Sequence, residues 1–87
     1  MKNRRDRIDI IISILEAIEK ENGKAKPTHV LYKANLSHKL LKHYTSELKA
    51  KGFIAENDDK SISLLENGVM FLSELRKMKR FMEMFNI

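Results

Sequence analysis

The chain predicts a mainly α-helical fold with one small β-hairpin, and three observations carry it. Apolar residues recur at helical spacing in three stretches before Gly52 and in one after Asn67. Two short runs, FIAEN and SISLL, have strand-like composition and flank the turn-forming Asn57-Asp58-Asp59-Lys60. With 87 residues, the chain is the size of one small domain.

A basic Met1–Arg5 arm, carrying Lys2, Arg4 and Arg5, opens the chain. It reads as a mobile terminus or as a tether to phosphates. The first helix is expected over Asp6–Glu21, with a core stripe of Ile8, Ile11, Ile12, Leu15 and Ile18. Ile10, Ile14 and Ala17 widen its apolar surface beyond one face, so the last helix or a second subunit is expected to cover it. Asn22-Gly23 ends it. Lys24–Lys26 suits a minimal extended segment, and Pro27 suits the start of a helix.

A short second helix, about Thr28–Ala34, turns inward with Val30, Leu31 and Ala34. Asn35-Leu36 makes a tight turn. Ser37 is the expected N-cap of a third helix that runs to Lys51 and closes at Gly52. At 100° per residue, Leu40, Leu41, Tyr44 and Leu48 share its core face. Lys39, Lys42, His43, Ser46 and Lys49 point the other way, a polar face without a carboxylate. A solvated face is the plain reading. Two helices joined by a tight turn also match a helix-turn-helix, whose second helix enters the DNA major groove.

From Asn67 the chain is helical again. Phe71, Leu75, Met78, Met82 and Phe85 step by 4, 3, 4 and 3, the spacing of a coiled-coil seam, and Leu72, Phe81 and Met84 widen it. The expectation is a projecting dimerisation helix. Packing wholly on its own domain is the alternative, and a membrane-surface helix beside Arg76, Lys77, Lys79 and Arg80 is a weaker one.

Charge and composition narrow the function. Net charge is +5, and residues 1–52 hold 12 Lys/Arg against 6 Asp/Glu, so the front of the chain is the basic part. Without cysteine there is neither a disulfide nor a thiolate zinc site. Asp9 interrupts the apolar run Ile8–Leu15 and no small-residue cleavage site follows, so an intracellular, cytoplasmic protein is expected. His43 and Glu47 lie four apart on a helix but lack further ligands, so no metal or cofactor is expected. Ser37 and His38 are neighbours without a third orienting group, and the three glycines form no phosphate loop, so no enzyme is expected.

The string KANLSHKLLKHYTSELKAKGFI, followed by a hairpin and LLENGVMFL, resembles small archaeal winged-helix DNA-binding proteins. The resemblance spans nearly the whole chain. It implies a winged helix-turn-helix over residues 1–66 and a coiled-coil-like dimerisation helix over 67–87. Some members of that group dimerise through the last helix as an antiparallel coiled coil. It implies base-facing Ser37, His38, Lys39, Lys42 and His43, with Ser46 and Lys49 continuing the basic face. There are two departures from the family pattern. Leu65 stands where a helix-capping Thr is usual, and the hairpin tip carries Asp58 and Asp59, which repel phosphate.

The function expected is double-stranded DNA binding by a nucleoid-associated homodimer, either a transcriptional regulator or a chromatin-like architectural protein. The alternative is a protein-interaction module on the same scaffold.

Overall fold

The structure, a computed structural model, describes residues 6–86. The basic arm at residues 1–5 lies outside them. Helix α1 (Arg7–Glu19) begins where the Asp6 carboxylate accepts the Asp9 N–H at 2.8 Å. It ends two residues before Glu21, in a turn where Gly23 (φ 87°) donates back to the Ile18 carbonyl.

α1 is the central element of the core. Ile11, Ile12, Ile14, Leu15, Ala17 and Ile18 are all buried, and Ile8 and Ile10 are partly so. Two of the residues that widened its apolar surface, Ile14 and Ala17, are therefore covered within the chain, and no second subunit is needed for them. Helix α2 (Pro27–Ala34), strands β1 (Lys24–Ala25) and β3 (Ile62–Leu64), and helix α4 (Glu66–Met84) all pack on α1.

The hairpin is formed by β2 (Ile54–Glu56) and β3. The extended segment at Lys24 adds a third strand, pairing Lys24 with Ser63 and Ala25 with Ile62, for an antiparallel order β1-β3-β2.

Helix α3 (His38–Ala50) starts as its sequence predicts. Ser37 Oγ accepts the Leu40 N–H at 3.1 Å, and the preceding turn rests on Asn35 in the left-handed region at φ 55°. At its other end Gly52 (φ 79°) lets Phe53 donate to the Leu48 carbonyl, the six-to-one bond of a Schellman cap. Leu41, Tyr44 and Leu48 are buried. Leu40 is 42 % exposed, which corrects its assignment to the core stripe. It lies at the flank of that stripe.

α4 begins without a side-chain cap at Leu65, as the departure from the family pattern implies. The Leu65 N–H donates instead to the Phe53 carbonyl. Gly68 sits against that same carbonyl, and the Phe53 and Phe71 rings stack at 4.2 Å between centroids. Leu72 and Leu75 complete the core. Beyond Leu75 the helix is tied to α1 mainly by charge. Arg76 binds Glu16 (3.1 Å) and Glu19 (2.7 Å), and Lys79 binds Asp9 (2.5 Å). Met78, Phe81, Met84 and Phe85 are exposed, by 39 to 75 %.

Gly68 and Gly52 should therefore behave differently when mutated. A Cβ at Gly68 would enter the van der Waals envelope of the Phe53 carbonyl oxygen and lie 2.8 Å from Leu64 Cδ1, so backbone must move. Gly68→Ala should cost about 2–4 kcal/mol. Gly52→Ala meets no neighbour and bears only the positive φ, about 1 kcal/mol. Urea unfolding measures both. Equal costs would show that the helix start slides freely.

The Asp9–Lys79 pair has a pH signature. The hydrogen bond from Lys79 holds the Asp9 carboxyl below the usual carboxylate range, against the opposing effect of burial. A native pKa below the unfolded one adds stability above the unfolded value, near 4, and that stability is lost as pH falls through the native value. Asp9→Asn should lower Tm at neutral pH, and its gap from the parent should close as pH drops below about 4. A gap independent of pH would assign the loss to something other than the charge.

Candidate nucleic-acid interface

α2, the Asn35 turn and α3 form a helix-turn-helix in which β2 packs against α3 and Arg7 of α1 pairs with Glu47. Burying Leu41, Tyr44 and Leu48 leaves one choice for the opposite side of α3. His38, Lys39, Lys42, His43 and Ser46 are all exposed there. Among the described residues no carboxylate pairs with Lys39 or Lys42. Their ammonium groups are thus available to an external anion.

The remaining predicted residues are less free. Ser37 is exposed but its hydroxyl is committed to capping α3. Lys49 is exposed yet binds Glu56 of β2 at 3.3 Å, so its charge is partly spent at the hairpin. Glu47, the possible metal partner of His43, is held by Arg7 at 2.7 Å, and that bond keeps its carboxyl below its ordinary range. Among the described residues no three His, Cys, Asp or Glu side chains gather where a metal could bind.

The face also divides. His38, Lys42, Ser46 and Lys49 border a groove against β2, whereas Lys39 and His43 lie on its far flank, where His43 meets the Tyr44 ring edge-on at 5.1 Å. Sequence reasoning missed the groove, because it needs the distance between α3 and the hairpin, which no periodicity contains.

The hairpin tip is tied down from inside. Asp59 accepts the Ser61 hydroxyl (2.5 Å) and N–H (3.0 Å), which hold its carboxyl below the usual range, and it faces Lys24 at 3.8 Å. Asn57 donates to Ser61 and Ser63 from across the turn. Asp58 is exposed at the tip, with no ion-pair partner among the described residues.

The predicted seam on α4 splits in two. Phe71 is half-buried against Phe53, Leu75 is in the core, and Met82 is half-buried beside Ile8. Met78 and Phe85 are exposed. The apolar stripe that faces solvent is rotated about 40° from the predicted seam, from Met78 through Phe81 to Phe85, with Met84 on its flank. Among the described residues no helix is long and apolar enough to cross a membrane.

Known structures share this arrangement. The fold is similar to that of Sso10a-2, a DNA-binding protein from Sulfolobus solfataricus, with a TM-score of 0.82, 22 % identity, and 94 % of this chain aligned to 86 % of that one. It is similar to a candidate transcriptional regulator from Pseudomonas aeruginosa PA01 (TM-score 0.71, 21 % identity, 91 % of this chain and 61 % of that one). A MarR family transcriptional regulator from Silicibacter pomeroyi DSS-3 also matches (0.67, 13 %, 90 % and 57 %), so the chain spans about three-fifths of the length of these two. No curated protein matches the sequence. The match that carries identity is to the family itself: over residues 4–83, the chain belongs to the winged helix-turn-helix family.

Proposed function

We propose that the chain binds double-stranded DNA through α3, as a homodimer held by the exposed half of α4. The observation that carries the DNA reading is the row His38, Lys39, Lys42, His43 and Ser46. It is exposed, free of carboxylates and mounted on the second helix of a helix-turn-helix. The fold shared with a DNA-binding protein supports it. Such a protein acts at the nucleoid, as a transcriptional regulator or an architectural protein. Selection from a random duplex pool separates these, since a regulator returns a consensus.

In this reading residues 1–66 read DNA and residues 67–87 associate, while Leu72 and Leu75 anchor the second unit to the first. Met78, Phe81, Met84 and Phe85 are too many large apolar groups to leave in water on one short stretch. A partner copy is the natural cover, because a small domain gains most from association.

The same exposed stripe, with Asp58 at the tip, favours a protein-interaction module as the second reading. A salt titration discriminates between them. Lys39→Ala and Lys42→Ala should each weaken binding to an unrelated duplex and flatten the log K against log salt slope by about 0.9. An unchanged slope in the double mutant removes α3 from the interface. Asp58→Lys should strengthen non-specific binding by replacing repulsion with attraction, and weaker binding would mean that the acid makes a favourable contact.

Dimerisation is tested by Phe81→Glu, outside the core. The winged unit should still fold cooperatively, with a midpoint that no longer rises with concentration, while the dimer dissociation constant rises about thirtyfold or more, the loss of a central aromatic anchor. Sedimentation across concentration measures it. A parent chain that stays monomeric at high micromolar concentration refutes the dimer.

A further inference from the structure

The groove between α3 and the hairpin contains chemistry that phosphate binding alone does not require. It encloses about 360 Å³, within the range of small-molecule sites. Its floor is apolar, made by edges of Leu41, Ile54 and Ile62, each otherwise buried in the core. Its rim carries two ammonium groups, Lys42 on the helix side, with the His38 ring beside the groove, and Lys60 on the hairpin side. The carboxylate on the rim, Glu56, is already bound by Lys49. β2 is an edge strand, so no further strand of the sheet covers the opening.

A sugar-phosphate backbone passing here would use the rim and waste the floor. A flat apolar body bearing one carboxylate would use both, with burial of its ring giving affinity and Lys42 or Lys60 fixing its orientation. We propose that this groove is a binding site for a small aromatic carboxylate. Because Lys42 and His38 border both the groove and the interface of the previous section, occupancy competes with DNA. That second part rests on the DNA-binding reading, while the site itself does not.

The experiment uses naphthoate as the probe on the full chain, first without DNA. Amide NMR should show saturable shifts at Lys42, Ser46, Ala55 and Ile62. The neutral analogue naphthalenemethanol should bind about tenfold more weakly, lacking the charge-assisted bond. Ala55→Phe, which fills the groove from the strand, should abolish the shifts with the fold kept, as judged by thermal unfolding. Lys60→Ala should weaken naphthoate severalfold and serves if Ala55→Phe fails to fold. No saturable shift at millimolar probe, or shifts centred on Met78 and Phe81, overturns the site. Naphthoate is then titrated into a chain–duplex complex. Release of duplex supports competition, and duplex retained at saturating probe overturns it. If the chain binds naphthoate in the groove but no duplex at all, the site stands and the DNA reading falls.

Discussion

The backbone of Phe53 is where α3, the hairpin and α4 are held together. Its N–H closes the α3 cap on Leu48, and its carbonyl receives Leu65 N–H at the start of α4. The same carbonyl lies so close to Gly68 that no side chain fits between them, and its ring stacks on Phe71. Four contacts at one residue leave α4 little freedom of angle relative to α3. The absence of a side-chain cap at Leu65 is tolerable for this reason. An orphan backbone donor at the helix start has found a carbonyl partner. The rotation of α4 follows, and with it the choice of which of its apolar residues enter the core and which face outward.

Charge is distributed by the same geometry. α4 carries Arg76, Lys77, Lys79 and Arg80, yet Arg76 and Lys79 are consumed by Glu16, Glu19 and Asp9 of α1, and Lys77 lies near Glu74. These pairs are half-exposed, so each contributes modestly to stability. Their larger effect is to cancel cations on the face away from α3. At the hairpin the Asp59 carboxylate is hydrogen-bonded by Ser61 and faces Lys24, and Lys49 pairs with Glu56. Among the described residues Lys39 and Lys42 stay without a carboxylate partner on the exposed face of α3, as do Lys20, Lys26, Lys33, Lys51, Lys60 and Arg80 elsewhere. Two of these cations, Lys39 and Lys42, share one helix face that carries no carboxylate.

Local chemistry was legible in the sequence. Ser37, Asn35, Gly52 and Asn22-Gly23 each announce a cap or turn through their own backbone and side-chain preferences, and each sits where those preferences place it. The polar face of α3 was legible for the same reason, since one buried stripe on a short helix leaves only one opposite side. What failed was anything that depends on how many neighbours a helix has. Leu40 and Leu41 are adjacent and equally apolar, but only Leu41 is buried. Ile14 and Ala17 looked surplus because a helix wheel assumes one partner, whereas α1 is packed on by α2, two strands and α4. On α4, Phe71 and Leu75 satisfy heptad spacing and core packing alike, so spacing alone could not show that they pack within the chain. The groove against β2 could not be read at all, being a distance between elements.

α4 shows how so small a domain divides its apolar residues. The first half of the helix completes a core that 87 residues can barely fill, and removing Leu72 or Leu75 would open a cavity there. The second half contributes almost nothing to that core and holds its position through Asp9 and Glu16. Core packing and outward apolar exposure therefore fall on different residues of one helix, separated by about two turns. A rod fixed at Phe53 and clamped along α1 carries its outward stripe at a set orientation to α3. Whatever covers Met78, Phe81 and Phe85 consequently inherits a fixed relation to the basic face, with no hinge between them. The rigidity that lets the chain dispense with a capping Thr also determines how a second body on α4 would be positioned against the partner of α3.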